Sequence, residues 1–330
     1  MKNSNTFKKI VFAILATTTL ISCERNSTYE DTKPSIAKIA VLNPAFSTLE
    51  AAAIKGGVAV VLSNYNTGDP SGHFTVFAPT NDAFLRLGLT SENLSLLNQT
   101  FLTNTLLYAV SNGDLMSGAF IPANLSGSAF QGVTRRFVNR GEDKFINGSK
   151  IVIKDVSAIN GTVHGIDKVL LATGGNIVQS ALAVQSGNVF VQKDLTYLVE
   201  AVIYCDLLAA LSNPSANLTV FAPNDQAFKN LGLALNLPPF TQPSDIRQIP
   251  KATVTAVLLS HVLGNGGKFT SELNAGPVTN LNGTNLTLGS YNNGVLSVKG
   301  PSTTSTPSNM TIPDIQATNG VIHIIDKVLL

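Results

Sequence analysis

Apolar and polar positions change rhythm several times along this chain. A basic start with Lys2, Lys8 and Lys9 leads into one apolar run from Ile10 to Ile21. That order is the form of an export signal, and the run is shorter than the roughly 20 residues a membrane span needs. Residues 24–35 are polar and show no period, which predicts a flexible tether. Further on, Thr75-Val76-Phe77-Ala78 is β-branched and aromatic and predicts a strand. Pro79 ends it, Thr80 is placed to cap a helix, and Asn81-Asp82 put acid in its first turn. The same order returns at Thr219–Ala222, Pro223, Asn224 and Asp225. Leu198, Val202, Cys205 and Ala209 recur at helical spacing, whereas Gly56-Gly57 interrupt the matching stretch Leu49–Leu62. Asn160-Gly161 and Asn319-Gly320 signal turns. After the first, Val163, Gly165, Asp167 and Val169 alternate with His164, Ile166, Lys168 and Leu170. Helices followed by strands in each half predict an α+β fold.

The halves are copies. Phe74–Phe84 and Leu218–Phe228 share seven of eleven residues, and Gly161–Leu171 and Gly320–Leu330 share eight of eleven. The second copy is longer around Pro238-Pro239 and Pro243 and again within 301–313, in Pro and Ser/Thr clusters where loops tolerate insertion. Solenoid units are far shorter, so this is a duplicated domain. The expected division is 1–22 leader, 23–35 tether, 36–171 first domain, 172–176 linker and 177–330 second domain.

The chain has 330 residues, 44% apolar and 13% charged, with no Trp, which gives each copy material for an aliphatic core. Removal of Lys2, Lys8 and Lys9 with the leader lowers the formal charge of +2 by three, to −1. An exported chain of that charge, without a basic cluster, is no binder of nucleic acid. The apolar run closes on Leu20-Ile21-Ser22-Cys23, which resembles the lipobox of bacterial lipoproteins. That resemblance implies that Cys23 becomes the first mature residue and carries the lipid that holds the protein to a membrane outside the cytoplasm, the outer membrane or cell surface.

Thr-Val-Phe-Ala-Pro-x-x-x-Ala-Phe and Asn-Gly-x-x-His-x-Ile-Asp-x-Val-Leu, each present twice, resemble the two boxes of the fasciclin family. The resemblance implies two tandem domains, each a β-wedge or sandwich flanked by helices. It also implies roles in adhesion or in matrix and polysaccharide contact, with no catalysis and no cofactor. The family's central Tyr-His box is divided between the copies: Leu106-Leu107-Tyr108-Ala109 keeps the Tyr, and Leu258-Leu259-Ser260-His261 keeps the His. In some animal relatives an Asp-Ile segment before the second box contacts integrins. The matching partner-binding candidates are Lys154-Asp155-Val156 and Pro313-Asp314-Ile315.

The remaining polar candidates read as structural. His164 and His323 each have an Asp three residues on, Asp167 and Asp326, but residues three apart on a strand point to opposite faces. A buried, hydrogen-bonded His is expected at both places, and Pro79 and Pro223 serve to end strands. His73 and His261 offer no metal-ligand spacing. Cys205 falls on the apolar helix face, as a small hydrophobe would. No Gly-x-Ser-x-Gly elbow or His-Glu-x-x-His helix is present. The expectation is a non-enzymatic envelope lipoprotein that binds a protein or polysaccharide and meets the membrane through its lipid alone. A self-assembling structural lipoprotein and an envelope hydrolase are the alternatives.

Overall fold

The structure, a computed structural model, describes residues 33–122, 125–127 and 133–330. The leader, Cys23 and the tether up to residue 32 lie outside the described residues. The first copy opens with helices α1 (Ile36–Leu42), α2 (Ser47–Lys55) and α3 (Ala59–Ser63), followed by strand β1 (Phe74–Pro79) and helices α4 (Asn81–Leu85) and α5 (Gln99–Tyr108). Strands β2 (Val110–Asn112), β3 (Leu125–Ser126), β4 (Arg135–Arg140), β5 (Asp143–Ile146), β6 (Ser149–Ala158), β7 (Gly161–Ile166) and β8 (Leu171–Ala172) complete it. The second copy repeats the order with helices α6 (Ile177–Gln185), α7 (Thr196–Tyr204), α8 (Leu208–Ser212), α9 (Asp225–Ala234) and α10 (Lys251–Ser260). Its strands are β9 (Leu218–Pro223), β10 (Val262–Leu263), β11 (Gly276–Thr279), β12 (Asn285–Leu288), β13 (Ser297–Lys299), β14 (Ser308–Ala317) and β15 (Gly320–Ile325).

The sheets share one topology, β2-β1-β7-β6-β5-β4-β3 and β10-β9-β15-β14-β13-β12-β11. In each, the two motif strands lie side by side and parallel, β1 on β7 and β9 on β15. All four are buried along their whole length. Alternation explains how: Val76 and Ala78 pack on the helices, while Phe77 faces a second core with Phe137, Ile146 and Ile166. In the second copy Val220 and Ala222 face the helices and Phe221 faces Leu286, Val298 and Ile325. Strand β7 stops at Ile166, so the alternation expected through Leu170 ends earlier. The domains are joined through the sheet as well as the chain, because β8 pairs in parallel with β14, Leu171 opposite Ile315.

Local chemistry sets the boundaries. The Thr80 side chain accepts from Ala83 N and that of Asn224 from Ala227 N, capping α4 and α9 after their strand-ending prolines. The helical spacing from Leu198 to Ala209 is not one helix. Asp206, at φ 57°, reverses the chain after Cys205, and Gly57, at φ 72°, does the same between α2 and α3. Both are residue types that tolerate the left-handed region.

Asn160 and Asn319 do more than turn the chain. Each is buried and accepts from the first residue of the opening helix, Ile36 N at 2.9 Å and Ile177 N at 2.8 Å. Each also donates to the end of the third helix, Asn160 to Leu62 O and Asn64 O, and Asn319 to Leu211 O and Asn213 O. One amide thus pins the helical layer to the sheet in each copy. The glycine that follows cannot be enlarged, since a Cβ on Gly161 would overlap Phe74 O and one on Gly320 would overlap Leu218 O.

Candidate functional site

The Asp-aliphatic segments sit at irregularities in β6 and β14. Asp155 and Asp314 take φ of 59° and 65°, and the register shifts between Ile153 and Val156 and between Ile312 and Ile315. A left-handed residue inside an antiparallel pair makes such a bulge, and the bulge re-aims the side chain. The Asp backbone N–H is thereby turned toward the neighbouring strand, where it donates to a His: Asp155 N to His164 Nδ1 at 3.1 Å and Asp314 N to His323 Nδ1 at 3.2 Å. With Nδ1 accepting, Nε2 carries the proton and donates to Leu115 O at 2.8 Å or Lys268 O at 2.9 Å. The rings are fully buried and stack on Phe77 and Phe221 with centroids 5.6 and 5.7 Å apart. Burial pushes both imidazoles below their ordinary range, against the pull of the neighbouring carboxylates and carbonyls.

The His partners are therefore Asp155 and Asp314, not the residues three places on. Asp167 accepts from Lys150 N at 2.7 Å, and Asp326 accepts from Asn309 N and Ser308 Oγ, both at 2.8 Å. These carboxylates hold the beginnings of β6 and β14. Pro79 and Pro223 are buried at the strand ends. The divided central box is also internal: Tyr108 accepts from Asn147 Nδ2 at 3.0 Å, and His261 Nε2 accepts from Leu329 N at 2.9 Å.

The two copies of the bulge differ in what lies against them. Asp155 accepts from Ser117 N at 2.7 Å and from Ser117 Oγ, and its side chain is 34% exposed. Burial works to raise its carboxyl, but the Ser117 bonds outweigh it and hold the group below the usual range. Lys154 beside it is exposed, and so is Met116. Asp314 accepts from Thr270 N and Thr270 Oγ1, both at 2.7 Å, and is 9% exposed because Lys168 of the first domain reaches it, Nζ to Oδ2 2.5 Å. The same ammonium donates to Thr270 Oγ1 and Gly294 O, each at 2.7 Å. Burial would raise the Asp314 carboxyl, but Lys168, with His323 and the Thr270 bond, outweighs this and holds the group below the ordinary value. Ile315 is buried and Pro313 half-buried, so the second segment is a surface for the first domain.

Around this contact the interface is polar and closely fitted. Arg136 pairs with both Glu272 oxygens, 3.0 and 2.5 Å, and lies over the Phe269 ring at 4.6 Å. Arg140 donates to Leu273 O at 2.8 Å and lies over Tyr291 at 4.5 Å. Ser271 Oγ donates to Asn147 O at 2.6 Å. The lysine matching Lys168 in the second domain is Lys327, whose ammonium is held at 2.9 Å by Thr306 Oγ1 and Pro307 O, within the 301–313 insertion.

Asp194 and Asp225 are two carboxylates close enough to feel each other's charge. Burial raises the Asp194 carboxyl, and the Asp225 charge adds to that. Asp194, however, accepts from Asp225 N and Leu195 N, while Asp225 accepts from Thr196 Oγ1 and Tyr197 N, so both tie helix starts together. In the first domain Asn81 makes the matching contact, accepting from Thr48 N at 2.9 Å. A neutral amide does the same work, so the charge serves packing. Among the described residues no three His, Cys, Asp or Glu side chains converge as a metal site needs, and no helix is long and apolar enough to cross a membrane.

The model of the fasciclin domain matches residues 44–172 and again 193–330. The chain belongs to the fasciclin family. Human periostin is 27% identical over 270 residues, covering 78% of this chain and 28% of periostin. Protein sll1483 of Synechocystis is 36% identical over 143 residues, covering 43% of this chain and 75% of that protein. This fasciclin pair thus spans little more than a quarter of periostin's length. A solved FAS1 domain pair from the insect cell adhesion molecule fasciclin I is similar over 89% of this chain and 95% of that one, at 15% identity and a TM-score of 0.38.

The Asp–His pairing has a trace in the sequence. The spacing from Asp155 to His164 is the same as that from Asp314 to His323, and a hairpin centred on Asn-Gly brings residues so spaced face to face.

Proposed function

We propose that this fasciclin pair is a non-enzymatic adhesion or binding lipoprotein, exported, held outside the cytoplasm through Cys23, and engaging a protein partner through the open bulge of its first domain. The observation that carries the reading is the contrast between the bulges. In the second, Lys168 of the same chain lies beside the bulge aspartate and is closed over by the Thr270 hydroxyl and a carbonyl, and we extend that arrangement to a partner of the first. The first has the same aspartate, histidine and hydroxyl with its carboxylate at the surface. A partner that presents a lysine or arginine on a turn fits there as a full ion pair, whereas a neutral glycan can donate hydroxyls to the carboxylate but brings no countercharge.

The test is crosslinking on intact cells with the wild type and with Asp155→Asn, which tolerates the left-handed backbone. Partners captured by the wild type should be lost in the variant while Asp326→Asn retains them. Equal capture by all three proteins overturns the role of this face. Separately, Cys23→Ala should move the protein from membranes to the soluble fraction, and continued membrane association rules out the anchor.

A further inference from the structure

Between the helical layer and the sheet, each domain encloses an apolar pocket built from matched residues. In the first it is framed by α1, α2, α3, β1 and the end of α5, and in the second by α6, α7, α8, β9 and the end of α10. The volumes differ, about 390 Å³ against about 200 Å³. Side-chain size accounts for the difference. Where the first pocket is lined by Ala37, Ala53, Val58, Ala59 and Ala109, the second has Val178, Val202, Leu207, Leu208 and His261. The first pocket is thus the one left open by its own small residues.

Its mouth is apolar too. Val41 and Ile54 line the pocket and are exposed, and Leu42, Val60 and Val61 expose further apolar surface on the same three helices. The polar side chains on the wall are Ser35, Lys38, Glu50 and Ser63. Isolated exposed apolar residues are ordinary, but a patch continuous with a cavity marks a binding site. The chain itself says what lies near. Ser35 lines the pocket, and the segment from Cys23 joins the described chain just before it. A tether of this length reaches at most about 40 Å, so on the lipoprotein reading this face works within reach of a bilayer.

We propose that the first-domain pocket binds one acyl chain of a membrane lipid, with Lys38 at the mouth facing the acidic head. The nearness of the bilayer rests on the proposed anchor; the pocket and its chemistry do not. Small-molecule pockets typically occupy about 300–1,000 Å³ and are lined mostly by apolar groups, which the first pocket satisfies and the second does not.

The test uses the full chain carrying Cys23→Ala, which has no covalent lipid of its own, titrated with the fluorescent fatty acid cis-parinaric acid. Saturable binding of one equivalent is expected, displaced by palmitate. Ala53→Val with Ala59→Leu, the residues of the second domain, should weaken binding at least tenfold without lowering the urea midpoint. Ala59→Leu alone, at the half-buried rim, provides a milder variant that should weaken binding severalfold. Absence of saturable binding, or binding that neither variant changes, overturns the proposal. Membrane release by Cys23→Ala is read in a separate assay, so failure of the anchor and failure of the pocket give different results.

Discussion

Replacing Lys168 by Met tests how the two domains are held. The Lys168 side chain is 8% exposed, and its ammonium makes bonds of 2.5–2.7 Å to Asp314, Thr270 and Gly294 O. Met preserves most of the stem and removes the charge. The substitution leaves Asp314 as a buried carboxylate without its cation, and breaking such a pair costs about 3–5 kcal/mol. In a body of this size that corresponds to a fall in Tm on the order of 10 °C. Asp314→Asn, which tolerates the left-handed backbone, strands the ammonium instead and should cost a similar amount. The double variant buries neither charge and should cost well under the sum, with a coupling of about 2 kcal/mol or more. Urea unfolding followed by circular dichroism gives all three values, since the chain has no Trp to report by fluorescence. A loss below about 1 kcal/mol for Lys168→Met, the level of an exposed pair, would refute the argument, as would strict additivity of the single variants.

Acid should destabilise the fold through its histidines. Burial lowers His164, His261 and His323, and His261 falls to about 4. Because the folded values are depressed, their contribution is complete above about pH 6.5 and is lost as pH falls toward 4. The urea midpoint should drop between pH 7.5 and 4.5, and a flat profile contradicts neutral burial. Below that range the depressed Asp314 adds the same sign of effect as it protonates. Asn319→Ala removes three bonds to the helical layer and should cost about 2–4 kcal/mol, with faster amide exchange at Ile177; unchanged exchange means that the amide does not pin α6. Gly161→Ala sets a methyl against Phe74 O and should cost more than the roughly 1 kcal/mol of an ordinary glycine replacement, measured by the same unfolding assay.

What the sequence could reveal depended on whether the interaction was local. The order strand, proline, cap was legible at Thr80 and Asn224 because capping is decided within three residues. The helical spacing at Leu198 and Val202 was legible too, but the break at Asp206 was not, since an Asp in the left-handed region looks like any other Asp until its φ is known. The equal Asp-to-His spacing left a trace, but the bulges hid that the Asp backbone N–H is the group that meets the imidazole. Period-two counting assumes an unbroken register, and one irregular residue moves every later side chain to the other face. The role of Asn160 and Asn319 exceeded their turn signal because their partners lie about a hundred residues away in the chain. Nothing in the two near-identical boxes distinguishes Asp155 from Asp314. Only the folded arrangement, with Lys168 laid against one of them, separates an occupied surface from an open one.

The grip of the 301–313 insertion on Lys327 bears on how many such chains can join. An internal contact between like units is a template for endless head-to-tail growth unless an end is blunted. Here Thr306 and Pro307 occupy the lysine that a following unit would need to insert. A copy of this chain that offered Lys327 to an open bulge would first have to give up both bonds, so head-to-tail stacking of such pairs carries a cost that the internal contact through Lys168 does not.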